Sequence, residues 1–468
     1  MGLPFSNPTE SKVNKFFGER APLVSPAARS VDEKPWYLQY EYDASELLFN
    51  MEVQVKGGTL RALVERLTIH DVVDTNFHTN FLLTYRSFTT TSEFLSLLIR
   101  RYHIQPPPGL KPEELKIWNE RKLKMVRVRV YNIIKTWLEI HYVEDSDMDG
   151  LRTLRDFACT SMVESNPAAA EQVVKLIDKR RQSSDGAFKK LVRNLPKQAP
   201  PPILPRNFRK LKVFDIDALE LARQFTILDS KMYNKIKPTE CLSKAWMGQD
   251  PTRAVNIKAM VQLSTKVSLF VGGTILSEPE LRKRGNIIKY FITVAEKCRS
   301  LNNFNALMSF LGGIELASVQ RLKRTWDTLG GRTMTTYESL KVLMGTNRNS
   351  VEYREELHSC NPPCIPFLGT HLKDLVFVED GNSDFLPNHP HLINFDKRTK
   401  VASVIRDLQS YQSTPYALTV VPEIQEFMEK SLEEVIDSPG LYDISLTLEP
   451  REREDEKIAR LLRESGFL

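Results

Sequence analysis

The chain has 468 residues, of which 41% are hydrophobic and 26% charged, with a formal net charge of +6 at pH 7. Such a balance fits an ordinary soluble globular protein with room for two or more domains. No apolar run is read as reaching the ~18–20 residues of a spanning helix, the N-terminus lacks the apolar core of a secretory signal, and the five cysteines form no framework spacing, which suits a reducing cytosol.

Residues 1–45 are rich in Pro and Ser and poor in periodicity, so they read as a flexible tail. Their start, Met1-Gly2-Leu3-Pro4-Phe5-Ser6, fits the loose pattern for acylation at Gly2. One acyl chain gives only marginal membrane binding. From residue 46 to 178 helical patterns follow one another. Leu60, Leu63, Val64 and Leu67 share one face, and Phe77, Phe81, Leu82 and Tyr85 continue the register. Thr91 or Ser92 is the expected cap of the next helix, which runs over Phe94–Tyr102. Pro106–Pro108 interrupts, and helices are expected over Val126–Tyr142 and Leu151–Val163.

Residues 179–212 read as a basic, proline-rich linker, with Pro200–Pro202 favouring an extended strap that serves as a spacer or as a docking point for a partner domain. Periodicity resumes over 213–452. Leu219, Ala222, Phe225 and Thr226 lie on one face, and Ile287, Ile288, Phe291, Ile292, Ala295 and Cys298 form an amphipathic stripe. Ala417–Val421 and Leu441–Leu448 are the best strand candidates, and 453–468 reads as a charged helix or tail. The expected fold class is all-α, two helical domains with at most minor β.

The stretch Asn361–Lys400 contains a short helix with charges where helices avoid them. Pro362 and Pro363 bar helix before it, Pro366 suits its first turn, and Gly381-Asn382 supplies an expected left-handed stop. Leu368, Leu372 and Leu375 share the apolar face, and a second row runs Gly369, Lys373, Val376, Asp380. Glu379 and Asp380 sit at the negative end of the helix dipole, costing roughly 0.3–1 kcal/mol each when exposed. A broken local rule often marks a working surface; the same pattern also fits two solvated acids on a frayed end.

There is no phosphate-binding loop of the Walker type, no G-x-G-x-x-G, no kinase set, no G-x-S-x-G and no H-E-x-x-H. This argues against covalent catalysis, and no cofactor is expected. Cys360 and Cys364, with His358 and His371 nearby, lack the tight pairing of a zinc site. Asp145, Asp147, Asp149 and Asp156 imitate half of a calcium loop, but the twelfth position is Asp rather than Glu and the eighth is Arg152. The competing reading makes Asp149 the cap of a helix starting near Leu151. The basic clusters Lys179–Arg181, Arg206–Lys212, Arg282–Arg284 and Arg321–Arg324 are not interleaved with aromatics in a nucleic-acid pattern and read mainly as solvated faces.

Five blocks together carry a family resemblance. GGTLRALVERLT and FLLTYRSFTTTSEFLSLLIRRY, within 57–102, resemble the Ras exchanger motif, the helical N-terminal module of Ras guanine-nucleotide exchange factors. DIDALELARQFTILDSKMYNKIKPTE (215–240), LNNFNALMSFLGGIELASVQRLKRTW (301–326), NPPCIPFLGTHLKDLVFVEDGN with LINFDKRTKVA (361–402) and DISLTLEPRE (443–452) resemble their catalytic domain. The match looks most like the son-of-sevenless and fungal type. It implies a Ras exchanger motif domain over 46–178 and a catalytic domain over 213–452 with a protruding helical hairpin.

The resemblance also implies a mechanism in which the hairpin enters the nucleotide site of a Ras-family GTPase. Val376 takes the place of the apolar residue that crowds the magnesium site, and Asp380 that of the carboxylate replacing phosphate contacts. Arg223, Thr226, Arg321, Lys373, Asn382 and Lys400 fall at GTPase-binding positions, while Leu322 and Trp326 are expected in the core. Two departures stand out: Asp380 where the family often has Glu, and Ile314-Glu315-Leu316 in the central block. The implied partners are GDP-bound and nucleotide-free GTPase, with a second GTP-bound copy at an allosteric site in some relatives, and recruitment to the inner face of the membrane where Ras resides. From the charge pattern, no nucleic acid is expected, and a peripheral contact of the basic clusters with an anionic membrane surface is the lesser alternative to solvated faces. The alternative function is a GTPase-binding adaptor of the same fold without exchange.

Overall fold

A computed structural model describes residues 34–182, 198–450 and 462–463. Residues 1–33 of the N-terminal tail, Gly2 among them, residues 183–197 of the linker and most of 451–468 lie outside the described residues, while within 34–45 Tyr37 and Leu38 are buried in the first unit's core. The chain divides into two compact units, one drawn from Met1–Phe188 and Ser383–Thr399, the other from Lys189–Asn382 and Lys400–Leu468. With 67% helix and 4% strand the class is all-α.

In the first unit the principal helices are α1 (Leu60–Leu67), α2 (Thr75–Thr84), α3 (Thr91–Tyr102), α4 (Pro112–Trp118), α5 (Lys124–Thr136), α6 (Glu144–Phe157) and α7 (Pro167–Gln182). Polar side chains set the starts of three. Thr59 accepts from Ala62 N–H, Asp74 from Phe77 N–H and Thr90 from Glu93 N–H. The cap of α3 is therefore Thr90, not Thr91 or Ser92. The Thr91 hydroxyl instead donates to Asp147 (2.6 Å). The four aromatics Phe77, Phe81, Tyr85 and Phe94 are buried, as the helical spacing predicts.

Asp147 also corrects the reading of the acidic stretch. Residues Glu144–Phe157 are one helix, so Asp145, Asp147, Asp149 and Asp156 stand on helical turns rather than in a calcium loop, and Asp149 caps nothing. Asp147 is buried, accepts from the Val143 N–H (2.8 Å) and pairs with Arg86, while Asp149 and Asp156 are exposed. Charge pairing across the helix start, not metal, uses the carboxylate.

The minor β is a four-stranded antiparallel sheet of order β1-β2-β4-β3, made of β1 (Leu47–Phe49), β2 (Val55–Gly58), β3 (Phe385–Leu386) and β4 (His389–Asn394). None of these strands was expected from the sequence. A β-carbon on Gly57 would stand 2.6 Å from the Ile393 carbonyl oxygen, so only glycine admits this approach of β2 to β4. Buried Lys397 and Arg398 share the exposed Asp384 at 2.9 and 2.7 Å. Burial raises that carboxyl, but the hydrogen bonds from Lys397 and Arg398 prevail and lower it.

The second unit is built on α8 (Ala218–Tyr233), α9 (Val255–Leu276), α10 (Leu281–Ser300), α11 (Phe304–Ile314), α12 (Gly331–Met344), α13 (Val351–Ser359) and α14 (Leu368–Gly381), followed by α15 (Phe395–Ser410), α16 (Pro422–Glu433) and α17 (Ser438–Leu448). The stripe of α10 is buried as expected. The strand candidates are corrected: 417–421 is irregular, and 441–448 is helical within α17, where Pro439 takes the first turn and Asp437 caps it by accepting from Gly440 N–H. The membrane reading is refined too. α9 is long and apolar enough to cross a membrane by length and composition. Here it is a core helix, with Ile257, Met260, Val267, Val271 and Ile275 buried. Gly313 lets α11 approach it, since a β-carbon there would meet the Ser268 carbonyl oxygen at 2.6 Å.

Between α8, α9 and α11 lies a buried polar network. Asn303 caps α11 by accepting from Ala306 N–H (3.0 Å) and donates to Thr226 (3.1 Å). Asn305 donates to Ser264 (3.2 Å) and Asp229 (3.4 Å). Burial pushes the Asp229 carboxyl up to about 6, against hydrogen bonds from Asn303 and Asn305 that favour the carboxylate. A folded value above the unfolded one means the native state holds the extra proton. Its stabilising contribution is complete below the ordinary aspartate range and is lost as pH rises through about 6. Asp229→Asn is thus expected to leave stability near-neutral in acid and to raise it at pH 7, by on the order of 2 kcal/mol relative to the acid comparison. Urea unfolding of both proteins at the two pH values measures this; a difference independent of pH contradicts it.

Candidate functional site

The hairpin helix α14 is held by its inner row. Leu368, Leu372 and Leu375 are buried, as the 3.6-residue period predicts. Two charged contacts add direction. Arg354 on α13 grips Asp374 with two hydrogen bonds of 2.9 and 2.8 Å, a fork geometry suited to fixing an angle. His371, itself buried, contacts Asp407 on α15 at 2.9 Å. That hydrogen bond, against opposing burial, holds the Asp407 carboxyl below its ordinary value.

The local ends differ from expectation. Pro366 precedes the helix, which Phe367 begins with extended dihedrals. The stop is not left-handed: Asn382 is extended (φ −136°), and its side-chain amide donates to the Val378 carbonyl (2.9 Å), closing the last turn. The Asn382 side-chain oxygen in turn accepts from Lys400 (3.2 Å).

The second row runs along the flank of the leucine row. Lys373 and Asp380 are exposed, Val376 is half-buried, and the neighbouring Phe377 is 78% exposed. Asp380 is not a bare acid on a helix tip. It pairs with Lys244, a residue sequence reasoning missed. Ser243 and Lys244 both adopt left-handed backbone (φ 51° and 52°), which costs about 1–2 kcal/mol per residue. The only sequence cue was a lone lysine in Cys241-Leu242-Ser243-Lys244, and no local pattern announces two non-glycine residues in that conformation.

The structure therefore places Asp380 and Asn382 at the C-terminal end of α14, with Lys400 bonded to Asn382, and Lys373 and Val376 one to two turns earlier on the same row. The other GTPase-binding expectations change. Thr226 is fully buried, donates to the Ala222 carbonyl (2.7 Å) and accepts from Asn303, so its side chain is not presented to a partner. Arg321 spends its guanidinium internally, on the Ser445 carbonyl (2.5 Å) and the Glu449 carbonyl (2.7 Å), tying the central block to the end of α17. Arg223 is half-buried and holds Glu220 (3.1 Å) and the Pro201 carbonyl (3.2 Å). Spacing places a residue on a face, but cannot tell whether the fold's own backbone reaches it first. Leu322 is buried, and Trp326 packs against Tyr337 with ring centres 5.1 Å apart. Exposed Glu315 lies 3.8 Å from Lys341. Among the described residues no group of three or more His, Cys, Asp or Glu is placed to hold a metal.

Residues 220–399 match the RasGEF domain, and residues 54–157 match the RasGEF N-terminal motif. Cell division control protein 25 of Candida albicans is 36% identical over 427 residues, covering 90% of this chain and 32% of that protein. Cell division control protein 25 of Saccharomyces cerevisiae is 33% identical over 474 residues, covering 94% and 29%. Ras guanine nucleotide exchange factor J of Dictyostelium discoideum is 33% identical over 421 residues, covering 86% and 49%. The chain spans less than half the length of these relatives. Carrying both the RasGEF domain and its N-terminal motif, the chain belongs to the family of Ras guanine-nucleotide exchange factors.

Proposed function

We propose that this chain promotes GDP release and GTP loading on a Ras-family small GTPase by inserting α14 into its nucleotide site. The observation that carries the proposal is the division of labour on that helix. One row is buried and clamped by Arg354 and Asp407, while the row on its flank offers Val376 and Asp380. A clamped helix loses little freedom on binding, so more of the contact energy is left to displace nucleotide.

The chemistry follows from side-chain type. The Val376 methyl groups cannot ligate a divalent cation, so in the GTPase's magnesium site they take space and give no bond. The Asp380 carboxylate accepts hydrogen bonds from the groups that bind phosphate and repels phosphate itself. Nucleotide and exchanger then weaken each other by the same factor, as linkage requires. The emptied site refills with whichever nucleotide is more abundant. Exposed Lys373 and Lys400 offer cations for contacts with acidic groups of the GTPase. Thr226 acts from within, holding α8 to α11 through Asn303. The reaction takes place at the cytoplasmic face of a membrane where such GTPases reside.

Asp380→Arg combined with Val376→Ala is expected to slow release of fluorescent GDP by at least about 100-fold, about 2.7 kcal/mol of lost transition-state stabilisation. Circular dichroism and melting should stay near wild type, because neither side chain is buried in the core. An unchanged release rate would remove the wedge from the mechanism.

Lys244→Ala should behave differently. The Lys244–Asp380 pair is solvent-exposed, and such pairs contribute roughly 0–1 kcal/mol. The release rate is expected to stay within about fivefold of wild type. A loss as large as that of the Asp380 variant would mean that Lys244 itself works on the GTPase.

A further inference from the structure

The strap that enters the second unit has a composition the exchange reaction does not use. From Gln198 to Phe214 the chain contains no acidic residue, and it includes Arg206, Arg209, Lys210 and Lys212. All four are exposed, and none takes part in an ion pair among the described residues. Interleaved with them stand four large apolar side chains in water: Ile203 (40% exposed), Leu204 (56%), Phe208 (36%) and Phe214 (45%).

The strap is also fastened at both ends. Ile203 N–H donates to Glu220 (3.0 Å), Arg223 holds the Pro201 carbonyl, and Pro205 is buried. Downstream, Val213 is buried, the Tyr290 hydroxyl donates to the Val213 and Ile216 carbonyls (2.9 Å each), and Phe214 meets the Tyr290 ring edge-on. Exposed Lys289 stands one residue before Tyr290. Between the fastenings, residues 206–212 present their cations outward, with Leu211 alone turned partly to the core.

We propose that residues 203–214 form a docking surface for an anionic lipid bilayer. Unpaired cations beside exposed apolar groups match a lipid interface, where charge meets the headgroups while apolar side chains enter the acyl boundary. Exposed Ile203 and Leu204 favour lipid over nucleic acid. A phosphate backbone has no use for aliphatic groups, and bases stack on aromatic rings. Fastening the strap lowers the entropy lost on docking. Each cation near such a surface multiplies partitioning by about fivefold, so four of them suffice for salt-sensitive recruitment.

Co-sedimentation of the full chain with phosphatidylcholine vesicles, with and without phosphatidylserine, tests this. Binding is expected only where phosphatidylserine is present and should weaken as salt screens the charges. Arg209→Glu with Lys210→Glu should lower it by at least about tenfold, and Leu204→Ser with Phe208→Ser should lower it as well. Melting temperature and GDP release in solution should be unchanged in both variants. Binding that ignores phosphatidylserine, or that survives both pairs of substitutions, overturns the proposal. So does a chain that captures single-stranded RNA but no vesicle. The vesicle result stands apart from exchange activity, so a failure of one reading is distinguishable from a failure of the other.

Discussion

The arrangement depends on how α14 is fixed along one side and left open along the other. Three leucines alone would bury a stripe yet allow the helix to roll, since apolar contact is non-directional. The Arg354–Asp374 fork and the His371–Asp407 contact remove that freedom, because hydrogen bonds to charged groups prescribe angle as well as distance. They reach α14 from two different helices, α13 and α15. With roll suppressed, Val376 and Asp380, one and two i+4 steps beyond Leu372, are held on the flank of the buried row, Val376 at its edge and Asp380 in solvent.

The acid at the end of α14 gains a physical context from this geometry. Carboxylates at a helix C-terminus are disfavoured by the dipole. Here the cost at Asp380 is offset in the free chain by Lys244, carried on a strained left-handed turn. Because both members are solvent-exposed, the pair holds the shorter aspartate in place without trapping it. The core behind the helix relies on a different device. Thr226, Asp229, Ser264, Asn303 and Asn305 satisfy one another across α8, α9 and α11, specifying a unique packing at the expense of a carboxyl that burial pushes up to about 6.

Much of this was legible in the sequence because helical periodicity is local. The leucine row of α14, the stripe of α10 and the aromatic row of α2 and α3 are buried where spacing places them. What escaped was non-local. β2 pairs with β4 across more than three hundred positions, and Gly57 matters only because Ile393 arrives beside it. Asp147 resembled a metal ligand until Arg86 and Thr91 claimed its oxygens. The resemblance assigns Arg321 and Thr226 to a partner, yet the fold bonds both internally. Lys244 was invisible because its role depends on a residue 136 positions away.

The central claim is that α14 and bound nucleotide exclude each other. The affinity of the full chain for one Ras-family GTPase, compared between its nucleotide-free and its magnesium–GDP forms, measures this directly. The account predicts a tight complex with the nucleotide-free form that excess GDP or GTP dissolves. Equal affinity for both forms would contradict it and identify the chain as an adaptor that binds the GTPase without opening it.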